Sequence, residues 1–424
     1  MSELEGSNQI KELFELANDL DRAMVGHFRL VRYGIPVHNI GMNLLSQYLL
    51  KRFLGDKESL KYFPILISGL EHKLTETNSR IHHLSHIIQR NSDLKLLFFQ
   101  KSPDNIYESL QTINNQSYEM FLNEFNKFII DYGDRGFTRE IFYPRWYEKP
   151  MTKVFDILKS LVIEEKQDFV KKERDLTKYR NLVEKFVETR IRSQKFGFLK
   201  WKFLSNILKL SRRYIIFREN QRFNLDHWIT RNRKIYLEIG KIFVKNGILK
   251  EVQDVFFLKK GEIKNLVFAK LGDKDKINLN SSVKNRKEDY LKYEHVLPPK
   301  FLQGIQEFND KLRYTQHNKI LQGIPASQGI ASGFIRVVNR IEEISNIKRG
   351  EILVVSRTDP GWTPIFSKIS GIITETGGIL SHGAVVSREY GIAAVTNIPN
   401  ACTILKTGQR VTINGYNGII NLEN

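Results

Sequence analysis

The stretch Thr374-Glu-Thr-Gly-Gly-Ile-Leu-Ser-His-Gly-Ala-Val-Val-Ser-Arg-Glu-Tyr-Gly391 decides how this chain is read. It follows Gly371-Ile-Ile-Thr374, a short apolar run bounded by glycine and a polar turn, which is the pattern of a buried strand. A helix is expected next. Ser381 is a good N-cap, Ala384, Val385 and Arg388 recur at helical spacing, and Gly391 supplies a left-handed stop. His382 therefore falls at the first helical position.

The start of a helix carries unpaired N–H groups and the positive end of the macrodipole, so an anion is stabilised there and a charged imidazole is disfavoured. A neutral imidazole beside an anion site has the makings of a nucleophile that carries a covalent intermediate. Gly377 and Gly378 let backbone approach a phosphate without a Cβ in the way. Thr376 stands just before them, and Arg388, about two turns along the helix, offers a fork for phosphate oxygens if it bends back. His382 is thus the catalytic candidate, with Gly377, Gly378, Ser381, Thr376 and Arg388 as candidate phosphate-binding residues. By chemistry alone, an ordinary helix-terminus histidine behind a glycine turn fits these residues about equally well.

From about Leu321 to Asn424 the chain resembles the phosphohistidine swivel domain of the phosphoenolpyruvate-utilising enzymes, which include phosphoenolpyruvate synthase, pyruvate phosphate dikinase and rifampicin phosphotransferase. Several runs match in order: Gly323-Ile-Pro-Ala-Ser-Gln-Gly-Ile-Ala-Ser-Gly333, Gly350-Glu-Ile-Leu-Val-Val355, Thr358-Asp-Pro-Gly-Trp-Thr-Pro364, the Thr-x-x-Gly-Gly-x-x-Ser-His run at 374–382, and Arg-Glu-Tyr-Gly-Ile-x-Ala-Val at 388–395. The resemblance implies that His382 is phosphorylated at a nucleotide site and carried to a second site. It also implies a compact domain of strands and helices on flexible tethers. Gly383 and Ser387 stand where the family usually has Ala, and Ala393 where it often has Pro; none replaces the nucleophile or its cap.

Upstream the periodicity is helical. Ile10, Leu13, Phe14, Ala17, Leu20 and Met24 fall on one face, as do Trp201, Leu204, Ile207, Leu208 and Ser211. The fold class expected is α+β multidomain: a large, mainly α-helical N-terminal region over 1–297, a connector over 298–322 beginning at Leu297-Pro-Pro299, and a compact α/β swivel domain over 323–424. A weaker resemblance to the helical region that precedes the swivel domain in rifampicin phosphotransferase-like proteins rests on Arg218-Glu-Asn-Gln-Arg-Phe223 and on Ile235 through Asp254-Val-Phe-Phe-Leu258. In such proteins that region holds the acceptor.

The family charges its histidine in an ATP-grasp domain or a phosphoenolpyruvate barrel, and neither fits in these residues. No Gly-x-x-x-x-Gly-Lys-Ser/Thr loop is present, nor a Gly-x-Gly-x-x-Gly loop after a strand. The resemblance thus implies a separate ATP-grasp partner that holds ATP and Mg2+ and docks in trans, no cofactor bound by this chain itself, and a small-molecule acceptor. The rival readings are a non-catalytic carrier or interaction protein that keeps the swivel domain, and a basic nucleic-acid-binding protein.

The net charge is +19, from 66 basic and 47 acidic residues, and all but +2 of it lies before Gln322. That asymmetry invites a nucleic-acid reading. However, the aromatics of Lys200-Trp-Lys-Phe203 and Arg212-Arg-Tyr-Ile-Ile-Phe-Arg218 fall where a helix buries them, and no RRM, KH, zinc-finger or helix-turn-helix signature stands out, so solvated basic faces are expected and nucleic acid is disfavoured. The single cysteine, Cys402, excludes an intramolecular disulfide and a cysteine-based zinc site. With no signal-peptide pattern at the start and no apolar run long enough to span a bilayer, a cytoplasmic protein without membrane partners is expected.

His82, His83 and His86 form a cluster with metal-like spacing but no carboxylate or cysteine alongside, so an exposed polar face is expected and no metal site. His27, His38 and His227 are isolated candidates for a general base. Asp359 and Trp362 read as a tight turn with a buried indole, and by resemblance as a loop near His382. Glu375 lies just before the glycines.

Overall fold

The computed structural model describes residues 7–136, 140–149, 151–163, 169–268, 273–293, 301–303, 306–308, 320–339, 343, 347–358, 360–379 and 381–423. The N-terminal region is helical: α1 (Ser7–Leu54), α2 (Asp56–Leu66), α3 (Lys73–Arg90), α4 (Ser92–Gln100), α5 (Pro103–Thr112), α6 (Gln116–Tyr132), α7 (Thr152–Ile163), α8 (Phe169–Arg192), α9 (Gly197–Lys245), α10 (Lys260–Phe268) and α11 (Asp273–Tyr293). Local chemistry sets many of these boundaries. Asn91 Oδ1 accepts the N–H groups of Asp93 and Leu94 to open α4, Pro103 sits in the first turn of α5, and Asn115 Oδ1 accepts Ser117 N–H to open α6.

Contacts divide the chain into two compact units. One comprises residues 1–29, 140–142 and 227–318; the other comprises 30–139, 143–226 and 319–424. The long helices α1 and α9 contribute residues to both. In the first unit, Ile10, Phe14 and Ala17 of α1 are buried against Ile235, Ile239 and Phe243 of α9, with Ile263 and Leu266 of α10. This is the face expected from the α1 periodicity. Arg233, fully buried there, donates to the carbonyls of Ile141 and Phe142 at 2.8 and 2.7 Å, so its burial is matched by acceptors.

The second unit holds two helical cores. One is aromatic: Phe98, Phe121, Phe125 and Phe155 pack with ring centroids 4.9 to 6.0 Å apart. The other joins Leu50, Phe63 and Leu66 to Val187 and Ile191 of α8 and to Trp201, Leu204 and Leu208 of α9. Ser211, on the same expected stripe of α9, is buried and shares a 2.9 Å hydrogen bond with Ser46 of α1.

The C-terminal part of that unit is an eight-stranded mixed sheet. Its strands are β3 (Ile320–Gln322), β4 (Ile324–Ser327), β5 (Ile330–Val337), β6 (Ile352–Val355), β7 (Gly371–Thr374), β8 (Ala393–Thr396), β9 (Arg410–Asn414) and β10 (Ile419–Leu422), in the order β3-β10-β9-β5-β6-β7-β8-β4. β5 through β8 run parallel, and the flanking pairs are antiparallel. Helix α12 (His382–Tyr390) crosses from β7 to β8, as a parallel connection requires, and a short α13 (Ala401–Ile404) follows. β6, β7 and β8 are buried along their whole length, which explains why their sequences read as continuous apolar runs. Of the expected connector, residues 298–300, 304–305 and 309–319 lie outside the described residues. Phe301–Gln303 (β1) and Gln306–Phe308 (β2) form an antiparallel pair belonging to the first unit, and Ile320–Gln322 is the edge strand β3.

Gly371 opens β7 where Ile413 of β9 packs across it: an added Cβ would lie 2.3 Å from Ile413 Cδ1 and 3.2 Å from the Ala393 carbonyl oxygen. Ile413 is itself fully buried, so its tip has no room to retreat. Gly371→Ala is therefore expected to lower stability by about 1–3 kcal/mol through overpacking, read as a fall in urea midpoint. An unchanged midpoint would mean the two faces are loosely packed.

Candidate active site

β7 ends at Thr374, and the turn that follows delivers His382 to the first position of α12. Gly377 takes φ +124°, which side-chain-bearing residues rarely adopt, and an added Cβ would press to 3.0 Å against Ser381. Ser381 caps the helix by accepting Ala384 N–H at 3.3 Å, and Gly391 closes it in the left-handed conformation. The strand, cap, helix and stop expected from sequence are all present.

Around His382, the helical segments of the same unit supply charge. His382 is 4 % exposed, and its Nδ1 lies 4.0 Å from Oε2 of Glu219 on α9. Glu219 contacts Arg218 (2.8 Å) and Arg222 (3.7 Å), and its side chain is 1 % exposed. Burial alone would raise its pKa, but the charges of Arg222 and Arg218 outweigh burial and hold the carboxyl well below the usual range. Glu219 is thus a fixed anion. Its position favours a proton on His382 Nδ1, which leaves the ring's lone pair on Nε2. The ring is buried with the Glu219 carboxylate beside it.

Packing fixes this arrangement on either side of the histidine. Leu74 of α3 is buried in one cluster with Ala326, Leu353, Phe366, Ala384 and Tyr390. Ile379, in the turn before the histidine, packs on the α2, α8 and α9 core, and Gln328 Nε2 donates to the Lys61 carbonyl at 2.5 Å. Lys73 N–H, at the start of α3, donates to Asn220 Oδ1 at 2.9 Å, which clamps that helix end beside Glu219.

The other expected residues have more structural tasks in this arrangement. Arg388 is buried and donates from Nη1 to the carbonyls of Ala326 (2.7 Å) and Ile379 (2.8 Å), so its guanidinium braces the turn before the histidine. Burial and nearby Arg218 bring its pKa down to about 10. The Thr376 hydroxyl is exposed and donates to the Ser356 carbonyl at 3.0 Å. Glu375 accepts Cys402 N–H at 3.0 Å, and burial together with that carboxylate pushes the Cys402 thiol up to about 12. Trp362 is a buried core residue, and Asp359 lies outside the described residues.

Two expectations need correction. His82 is not on an exposed polar face: it is 7 % exposed, on the side of α3 that carries Ile81, Leu84, Ser85 and Ile88 into the interior. Burial and neighbouring His86 bring it down to about 4. In the basic segments, Trp201 is buried but Phe203 and Phe217 are 53 % and 45 % exposed, because α9 has solvent on that flank. Among the described residues no group of three His, Cys, Asp or Glu is arranged to hold a metal ion, and no helix is long and apolar enough to cross a membrane. His38 stacks on Tyr214 at 5.5 Å, and His227 belongs to the other unit.

His72, at the N-cap of α3, is 6 % exposed, and burial brings it down to about 4 against the opposing pull of Glu219. Both His72 and His82 stay neutral in the fold down to about pH 4, whereas unfolded histidines take up protons near 6.5. The unfolded chain then binds more protons in that window, so stability rises with pH across it and is lost on acidification. Urea midpoints are expected to fall between pH 7 and pH 5; equal midpoints would contradict the burial of these rings.

Two family models match stretches of this chain. Residues 33–219 match the rifampicin phosphotransferase fourth domain, and residues 347–418 match the PEP-utilising enzyme mobile domain. The chain thus carries a stretch similar to a rifampicin phosphotransferase fourth domain followed by one similar to a PEP-utilising mobile domain. It is 28 % identical to a rifampicin phosphotransferase of Bacillus cereus over 92 % of this chain and 44 % of that protein. It is 30 % identical to one from Bacillus subtilis over 66 % of this chain and 32 % of that protein. A probable phosphoenolpyruvate synthase of Staphylothermus marinus is 38 % identical over 26 % of this chain and 13 % of that protein. The chain thus spans less than half the length of these relatives. Glu219, the partner of the mobile-domain histidine, is the last residue of the fourth-domain match.

The residues that sequence reading did not assign to the site are Arg218, Glu219, Arg222 and His72. The signal for the first three was the Arg-Glu-Asn-Gln-Arg run, whose pairing with His382 only the fold reveals. The Asp254-Val-Phe-Phe-Leu258 run falls in the other unit.

Proposed function

We propose that this chain is the relay and acceptor portion of a phosphotransferase. His382 takes a phosphoryl group on Nε2 from a nucleotide held by an ATP-grasp module, and the mobile domain delivers it to a hydroxylated small molecule beside Arg218, Glu219 and Arg222. The observation that carries this reading is the charged cluster around His382: an imidazole at a helix start, its Nδ1 facing a buried carboxylate flanked by two arginines. Both matched domains support it.

In the first step a P–O bond of the nucleotide breaks and a P–N bond forms at Nε2. In the second, the acceptor oxygen attacks phosphorus, the P–N bond breaks, and the hydroxyl proton passes to a base and then to solvent. The electron pair of the P–N bond returns to Nε2. Arg218 and Arg222 neutralise charge on the phosphoryl oxygens, while Glu219 orients the ring and balances its charge. A histidine 4 % exposed is out of reach of a nucleotide on another module, so loading requires the mobile domain to leave this docked position. The tether proposed for that motion is the segment around 298–319.

ATP with Mg2+ supplies the phosphoryl group at the donor module, which we place in trans and in the cytoplasm. The test is incubation of the purified chain with candidate ATP-grasp proteins and radiolabelled ATP. Acid-labile, base-stable label on the chain is expected; no label with any such protein favours a carrier without turnover.

A further inference from the structure

The start of α3 holds a buried donor that the relay described above does not use. His72 Nδ1 accepts Thr75 N–H at 3.4 Å and closes a capping box in which Thr75 Oγ1 accepts His72 N–H at 3.1 Å. Because Nδ1 is the acceptor, the neutral ring carries its proton on Nε2. Nε2 is buried and finds no hydrogen-bond partner among the described residues. The charges that act most strongly on the ring are Glu219, then Arg218 and Arg135.

A second buried donor in the same place is in a similar condition. Nη1 of Arg222 stands 3.7 Å from the Glu219 carboxylate, too far for a hydrogen bond, and has no hydrogen-bond partner among the described residues. Buried donors are satisfied in nearly all folded proteins, and an unmet one costs the full desolvation of the group. Two of them around one carboxylate that faces His382, at the positive end of an 18-residue helix, call for an acceptor-rich anion. A phosphoryl group has three such oxygens.

We infer that His72 is a phosphate-binding residue of this site, donating from Nε2 to an oxygen of the phosphoryl group delivered by His382, with the start of α3 completing the anion site. The inference rests on the relay reading for the source of the phosphoryl group, although the anion site itself does not. The depressed pKa of the ring fits the role, since a neutral donor binds the phosphoryl oxygen without forming an ion pair with Glu219 that would compete for it.

Two substitutions separate the two nitrogens. In His72→Asn, the side-chain oxygen replaces Nδ1 as the cap acceptor and nothing replaces Nε2. In His72→Gln, the amide N–H reaches the place of Nε2 and the cap is lost. With inorganic phosphate as the probe, calorimetric titration of the full chain is expected to show His72→Asn weakening binding about tenfold or more, at a wild-type melting temperature. His72→Gln is expected to bind within about threefold of wild type while melting earlier. A merely structural role would give the opposite ranking. Wild-type affinity in His72→Asn, or no saturable phosphate binding to the wild-type chain, overturns the assignment. Phosphate binding that depends on His72 upholds it even if His382 takes no label, a result that would count against the relay alone.

Discussion

His382→Ala is expected to fold normally and to carry no acid-labile phosphoryl label under conditions that load the wild-type chain. The fold should survive because the residue stands at the first position of α12, where alanine is a good helix former, and Ser381 keeps its cap on Ala384. Glu219 keeps its two larger sources of stabilisation, since Arg222 and Arg218 outrank His382 in holding it charged. Chemistry should stop altogether, because no other nucleophile in the turn is comparable. The Ser381 hydroxyl is committed to the cap and the Thr376 hydroxyl to the Ser356 carbonyl. The check is autoradiography of both proteins with a charging ATP-grasp protein, paired with their melting curves. Label of wild-type intensity on the variant would remove His382 from the account.

The second large effect is expected at Glu219, and it appears in stability as well as in transfer. Glu219→Ala leaves two guanidinium groups without the carboxylate they surround, and breaking a buried ion pair from one side costs about 3–5 kcal/mol. The lower end applies, because the side chains of Arg218 and Arg222 are still 18 % and 29 % exposed and water can partly compensate. Glu219→Gln keeps the shape and loses the charge. The native pKa of this carboxyl is depressed, so its contribution is fully present above the ordinary carboxylate range and is lost as pH falls through the native value. The wild-type chain should therefore exceed Glu219→Gln in urea midpoint by the widest margin at neutral pH, and the two should converge in acid. Midpoints that coincide at pH 7 would show that the ion cluster contributes nothing to the docked arrangement.

How much of this was legible in the sequence differs from residue to residue. The approach to the histidine was readable in full, because every device in it is local: an apolar strand of four residues, a glycine with positive φ, a serine cap and a glycine stop. The α1 and α9 stripes were readable for the same reason, since helical periodicity is a local property that packing then used. The bonds of Arg388 to the carbonyls of Ala326 and Ile379 were not legible, because carbonyl positions are invisible in sequence. His82 was misjudged because a histidine on a helix gives no sign of facing inward until the neighbouring helices are in place. The partners of His382 escaped because an ion cluster assembled from α3, α9 and α12 leaves no spacing rule along the chain. A buried charge cluster of this kind is weak evidence of stability but good evidence of function, since packed hydrocarbon would hold two surfaces together at lower cost.

The account depends most on where phosphorus attaches, and the position of the P–N bond in the loaded chain measures that directly. Tandem mass spectrometry under alkaline conditions locates the residue, and phosphorus–nitrogen correlation in a 15N-histidine-labelled sample identifies the nitrogen. A single phosphoryl group on Nε2 of His382, with the Nδ1 proton retained toward Glu219, is the predicted result. Phosphate on any other residue, or on Nδ1 of His382, would contradict it.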